Sequence, residues 1–184
     1  RAEKAYRELL AETQGTEWLA DVRWALANHL YTWGKYRRAL DVLLEVGRSN
    51  DPRKIRALYL AGLSQMALGE RKGAEVLFAR VRDQFPDTPW AEAARAGIGD
   101  ARFAEKDWRG ALEAYDAYLD AHPEGRYGGH VHAQRAACFD KLGLAAEAAD
   151  ARRRLAAWRA RTAETPGEAA EPPSAPAGDG EWTV

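Results

Sequence analysis

Cysteine occurs once in this chain, at Cys138, which excludes an intramolecular disulfide and leaves the redox compartment open. No apolar run approaches the roughly eighteen residues that a membrane-spanning helix needs. Neither sign of charge is in excess: 27 Lys and Arg stand against 28 Asp and Glu, for a net charge of −1. The balance is uneven along the chain. Residues 164–184 hold five acids (Glu164, Glu168, Glu171, Asp179 and Glu181) and no Lys or Arg, which leaves +4 on residues 1–163. A charge that small over so long a body makes no nucleic-acid footprint, so no nucleic-acid partner is expected.

The groups that chemistry requires are also missing as sets. His122, His130 and His132 are the candidates for a metal site. Residues 130 and 132 are two apart, which on a helix turns them to different faces, and no Cys or carboxylate sits at ligand spacing. Cys138 lies beside Phe139 in a helical pattern with no basic group placed to lower its pKa, so it reads as a small buried hydrophobe. Gly97-Ile98-Gly99 opens like a dinucleotide fingerprint, but Arg102 stands where the third glycine belongs and no strand precedes it. Gly99 reads instead as the small first-helix position, where close helix approach needs it. No catalytic dyad emerges. The expectation is a non-enzyme with neither cofactor nor metal.

What the sequence does have is a period. Residues 57–86 hold two amphipathic helical patterns on either side of Gly69-Glu70-Arg71: Leu58, Ala61, Gly62 and Gln65, then Ala74, Phe78 and Val81, closed by Pro86. Apolar residues at i, i+3, i+4 and i+7 across a short turn make a helical hairpin. The hairpin recurs. Gly34 with Ala39, Gly69 with Ala74 and Gly143 with Ala148 share one spacing, and Lys106 with Ala111 holds the same place with the glycine replaced. Self-similarity at about 34–37 residues implies stacked hairpins rather than one globular core.

These residues resemble the tetratricopeptide repeat. Its second-helix pattern, Ala-x3-Phe, appears as Ala39-x3-Leu43, Ala74-x3-Phe78 and Ala111-x3-Tyr115, and Pro52, Pro86 and Pro123 close the units. The small first-helix positions are Ala27, Gly62, Gly99 and Ala136. The family's tryptophan position departs, carrying Arg23, Leu58, Arg95 and His132, and the last unit has Arg152 in place of Phe. The resemblance implies an all-α fold, a right-handed solenoid of antiparallel helix pairs.

Taken in order, residues 1–163 are expected to form the repeat domain. An orphan helix covers 2–13, and its Ala5 and Leu9 hold second-helix positions, so the chain is expected to begin inside a repeat. Repeats follow at about 17–48, 52–85, 89–122 and 128–161. Thr16 is the expected cap of the helix from Glu17, and Ser49-Asn50-Asp51-Pro52 the expected cap and first turn of the next. Thr88-Pro89 repeats that arrangement. The stretch Glu124 to Gly129 reads as a glycine-rich loop. Residues 164–184, rich in Pro, Ala, Gly and acids, are expected to be a disordered tail.

The resemblance also implies a ligand groove lined by the first helix of each pair. Its positions fall on Trp24, Asn28 and Tyr31, on Arg56, Tyr59, Leu63 and Met66, on Ala96, Asp100 and Phe103, and on His130, Ala133, Ala137 and Asp140. Aromatics and Met on such a face suit apolar side chains of a protein or peptide partner. Trp182 and Val184, at the end of the acidic stretch, offer a second contact, and self-association through them is an alternative, as is a role as subunit of an enzyme or transport machine. Residues 85–94 (Phe85-Pro86-Asp87-Thr88-Pro89-Trp90, then Ala91 to Ala94) are similar in style to repeats of bacterial outer-membrane assembly lipoproteins and Tol–Pal coordinators. That likeness implies a periplasmic or membrane-associated setting, with membrane attachment only through a segment preceding Arg1.

Overall fold

A computed structural model describes residues 2–163. Among these residues every regular element is an α-helix: α1 Ala2–Glu12, α2 Leu19–Thr32, α3 Tyr36–Arg48, α4 Lys54–Ala67, α5 Arg71–Gln84, α6 Pro89–Ala104, α7 Trp108–Ala121, α8 Gly128–Lys141 and α9 Ala145–Ala163. The chain is thus all-α and built from consecutive helix pairs. It divides into two compact units, the first ending at Leu77 and the second starting at Phe78, so that α5 begins in one and ends in the other. The acidic stretch 164–184, with Trp182 and Val184, lies outside the described residues.

One turn is used four times. Gly34, Gly69 and Gly143 have φ of +69°, +75° and +73°, and Lys106 takes +64° at the equivalent place. After each, an amide reaches back five residues: Lys35 to the Leu30 carbonyl, Glu70 to Gln65, Asp107 to Arg102 and Leu144 to Phe139, all at 2.8–3.0 Å. A left-handed residue followed by this bond is the Schellman ending of a helix, which satisfies carbonyls that the last turn leaves open. The recurring glycine is therefore a backbone requirement, and Lys106 meets it under strain.

In the first unit α2, α3 and α4 pack through Leu26, Ala27, Leu30, Ala39, Leu43, Ala57 and Leu58, all nearly or fully buried. Each of the buried leucines among them contributes about 1.5–3 kcal/mol. Gly47 lets α3 approach α4: a Cβ there would lie 2.6 Å from Leu58 Cδ2. Ala74, at the start of α5, is also fully buried. Arg37 of α3 pairs with Glu70 at the turn before α5.

The second unit buries its tyrosines whole. Tyr115 and Tyr118 of α7 have no exposed surface, and each hydroxyl is satisfied. Tyr115 donates to Asp100 Oδ1 at 2.7 Å and Tyr118 to Glu92 Oε1 at 2.7 Å, while the Tyr127 amide donates to the Tyr118 oxygen at 2.9 Å. A buried hydroxyl left without such partners would cost about 1–3 kcal/mol. Cys138 is fully buried in α8, and burial pushes its thiol up to about 11.

Local signals fared unequally. Thr88 caps α6 as expected, accepting the Ala91 amide at 3.3 Å with Pro89 in the first position. Thr16 does not cap α2; its hydroxyl donates back to the Thr13 carbonyl, and the helix starts at Leu19. Pro52 precedes α4 rather than sitting in its first turn, because Asp51 folds its carboxylate onto the Arg53 amide and delays the helix to Lys54. Gly128 and Gly129 belong to α8, not to a loop. The indole of Trp158 in α9 lies over them, 2.5 Å from where a Gly128 Cβ would stand. Arg152 is exposed and pairs with Asp140, so α9 packs through Ala148 and Ala151 instead of a phenylalanine.

Candidate functional site

The first-helix residues of the first unit lie on two helix faces. On α2, Trp24, Asn28 and Tyr31 stand at i, i+4 and i+7; on α4, Arg56, Tyr59, Leu63 and Met66 stand at i, i+3, i+7 and i+10. Trp24, Asn28, Leu63 and Met66 are half-buried and Arg56 is exposed. Tyr31 and Tyr59 are only 8 % and 4 % exposed, so they offer little ring surface to a ligand. The Tyr31 ring meets Tyr36 edge-on at 5.7 Å, and its phenol is pushed up to about 12 by burial and then by Tyr36.

Trp24 is the centre of a charged cluster. The guanidinium carbons of Arg53 and Arg56 lie 5.6 and 5.3 Å from its ring centroid, within the range of cation–π attraction. Arg53 is held rigidly. Its Nε and Nη2 donate to the two oxygens of Asp51 at 2.7 Å, and Nη1 lies 2.8 Å from Asp21 Oδ1 on α2. Asp51 is 6 % exposed, and the hydrogen bond from the Arg53 side chain holds its carboxyl below the usual range despite burial. Arg53 was not among the residues singled out from the sequence. Its signal was present all the same: Arg53, Lys54 and Arg56 open a stretch from Pro52 to Gly69 that contains no acid.

In the second unit, Asp100 is tied to two helices. Besides the Tyr115 hydroxyl of α7 it meets His130 Nε2 of α8, at 2.8 and 3.0 Å from its two oxygens. The hydrogen bond to Asp100 raises the His130 pKa above its ordinary value, overcoming burial, which acts the other way. Phe103 is half-buried and packs edge-on against Trp108 at 4.9 Å. These two residues thus serve internal contacts in the structure as it stands. Ala133 and Asp140 are exposed, the latter paired with Arg152, and Ala96 is buried.

An open cleft of about 470 Å³ lies in the second unit, lined by Asp116, Asp120, His132, Arg135 and Arg154 with Leu119 and Pro123. Arg135 Nε is 2.6 Å from Asp116 Oδ1. Burial first, then Arg135, Arg154 and Arg161, lower the His132 pKa, so the cleft carries mixed charge around a neutral imidazole. Among the described residues no group of three His, Cys, Asp or Glu side chains could hold a metal ion. Among them, too, no helix is long and apolar enough to cross a membrane.

Residues 56–88 match the sequence profile of the tetratricopeptide repeat. No curated protein matches the chain. Several solved structures are similar in fold. A crystal structure of MamA superposes with a TM-score of 0.70 at 17 % identity, covering 89 % of this chain and 90 % of that one. MamA from Desulfovibrio magneticus RS-1, residues 41 to the end, gives 0.65 at 18 %, covering 86 % and 96 %. A Podosopora anserina putative kinesin light chain with nearly identical TPR-like repeats gives 0.68 at 17 %, covering 89 % and 88 %. The chain therefore has a TPR-like helical-repeat fold, one stretch of which matches the repeat in sequence as well.

Proposed function

We propose that this chain is a non-catalytic protein-interaction scaffold that holds a peptide or partner segment against its first-helix faces. The observation that carries this reading is the Trp24 cluster: a half-buried indole flanked by two guanidiniums, beside Asn28 and the half-buried Leu63 and Met66. Arginine and tryptophan are the side chains in which binding energy concentrates at protein interfaces. The TPR-like fold supports the same reading by analogy, since solenoids of helix pairs present such faces to extended partners. The only thiol is buried with a raised pKa, which fits poorly with nucleophilic catalysis. A bacterial cell-envelope setting is part of the proposal, supported by the sequence style of residues 85–94.

The test is a random-peptide selection on the full-length chain, with each enriched peptide then measured against a Trp24→Ala, Arg56→Glu variant. Peptides that lose about tenfold or more in affinity, the loss of a hot spot of roughly 1.4 kcal/mol, support the reading. Enriched peptides that bind both proteins equally sink it for this face.

A second reading, self-assembly, is favoured by Trp18 and Trp33, which flank α2 and are 61 % and 65 % exposed. Sedimentation of the chain over a wide concentration range, with and without Trp33→Arg, tests it. A monomer at every concentration removes it.

A further inference from the structure

The second unit carries a groove along α8. Its floor is one stripe of that helix, where His132, Arg135 and Phe139 stand at i, i+3 and i+7. Both α7 and α9 pack against α8 and supply the walls. The open cleft of about 470 Å³ forms one end, and a second cleft of about 400 Å³ forms the other. Arg135 and Arg154 line both, so the two adjoin. The seven residues from His132 to Phe139 rise about 10.5 Å, which sets the scale of the groove.

The cations of this groove are already matched. Arg135 pairs with Asp116, and Arg154 with Asp150, which Arg153 also reaches without lining either cleft. What remains is acid. Asp120 in the first cleft and Glu147 in the second are exposed, and among the described residues neither side chain has an ion pair or hydrogen bond. Apolar surface adjoins each: half-buried Leu119 in the first cleft, and in the second half-buried Phe139, with Arg135 5.8 Å from its ring centroid. His132, only 9 % exposed, forms part of the first cleft's wall, and its Nδ1 is buried with no hydrogen-bond partner. Such a nitrogen is costly to leave unpaired, and with the ring proton on Nε2 it accepts from any N–H brought to it.

We propose that this groove is a docking surface for an extended segment of a partner protein, in which two basic residues stand four apart with an apolar residue midway. Side chains at i, i+2 and i+4 of an extended chain point the same way, and four residues span about 13 Å. One base then meets Asp120, the other Glu147, and the apolar side chain lies over the stretch that both clefts share. A step of two residues, about 6.6 Å, falls short of the floor's length, and a step of three turns the second base away. An extended chain also suits clefts of this size better than a helix about 10–12 Å across. The surface lies in the second unit, goes beyond the Trp24 face of the first, and does not rest on it.

The experiment titrates the isotope-labelled full-length chain, followed by NMR, with a blocked seven-residue peptide of alanine that carries lysine at its second and sixth positions and leucine at its fourth. Saturable binding is expected, with shifts concentrated in residues 116–123, 132–139 and 147–154. Moving the second lysine one place inward is expected to weaken binding at least about threefold, and replacing both lysines by glutamine about tenfold. In the chain, Asp120→Asn and Glu147→Gln each cost about threefold and together about tenfold. Both side chains are exposed and unpaired, so helicity stays unchanged in the double variant. Affinity indifferent to the lysine spacing overturns the proposal, as does full affinity in the double variant or a shift pattern centred elsewhere. Spermidine that displaces the peptide at equal concentration overturns it too, because the groove then reads charge alone. No saturation at millimolar peptide has the same consequence.

Discussion

Gly99 of α6 and Tyr115 of α7 meet so closely that a Cβ on the glycine would lie 2.3 Å from Tyr115 Cε1. The ring cannot swing away, because its hydroxyl is tied to Asp100 and no part of it is exposed. Gly99→Ala gains about 1 kcal/mol in helix propensity but overpacks a full core at about 1–3 kcal/mol. Because the ring is fixed, the upper half of that packing cost, about 2–3 kcal/mol, applies, and a net destabilisation of about 1–2 kcal/mol is expected in urea unfolding with an unchanged m-value. An unaltered midpoint would show that α6 and α7 are not pressed together here.

Lys106 holds the left-handed place that glycine fills in the three sister turns. Its side chain is exposed, so nothing packed is lost on removing it. Lys106→Gly is expected to raise stability by about 0.5–1 kcal/mol, and Gly69→Ala to lower it by a similar amount, since a Cβ is strained at positive φ. Thermal unfolding of the two variants checks the pair. Lys106→Gly melting below the native chain would contradict the strain.

The Asp100–His130 pair gives the second unit a pH dependence. His130 has a folded pKa raised by its hydrogen bond to Asp100. Its contribution is therefore fully present below the unfolded value near 6.5 and is lost as pH rises through the raised folded value. Both side chains are partly exposed, so the effect is modest and screened by salt. Titration followed by NMR should place His130 above 6.5 in the native chain and lower in Asp100→Asn. Equal values in the two proteins would mean the contact does not persist in solution.

The repeat was legible because its marks are local. The left-handed residue and the buried alanine five positions on recur at Gly34, Gly69, Lys106 and Gly143 whatever surrounds them. Thr88-Pro89 was legible for the same reason. Thr16 was not, because a hydroxyl can serve the turn behind it as well as the helix ahead, and here it chose the former. Gly128 looked like loop because the group that needs its missing side chain, Trp158, lies thirty residues on. Among the groove residues, helical spacing placed Trp24 and Arg56 on neighbouring helices but did not show that Arg53 joins them, since that depends on how Asp51 folds the chain ahead of α4. Nor did it show that Asp100 binds both Tyr115 and His130.

Asp51 is the support on which the Trp24 cluster stands. One carboxylate oxygen takes the Arg53 amide and Nε, both at 2.7 Å, and the other takes Nη2 at 2.7 Å. Asp51→Asn keeps the shape, yet its amide nitrogen cannot accept from the guanidinium, and the charge that compensates Arg53 is lost. Hydrogen bonds to a charged group are worth about 1.5–3 kcal/mol, and Asp21 remains to hold one edge of Arg53, so a loss toward the lower end of that range is expected at pH 7. The folded pKa of Asp51 is lowered, chiefly by the Arg53 side-chain bond. Its stabilisation is present above the unfolded value near 3.9 and is lost as pH falls through the lower folded value. The gap between the native chain and Asp51→Asn should accordingly be widest near neutrality and close in strong acid. Unfolding by urea at a series of pH values measures that gap, and one that stayed constant down to pH of about 2 would assign the effect to packing rather than to the carboxylate charge.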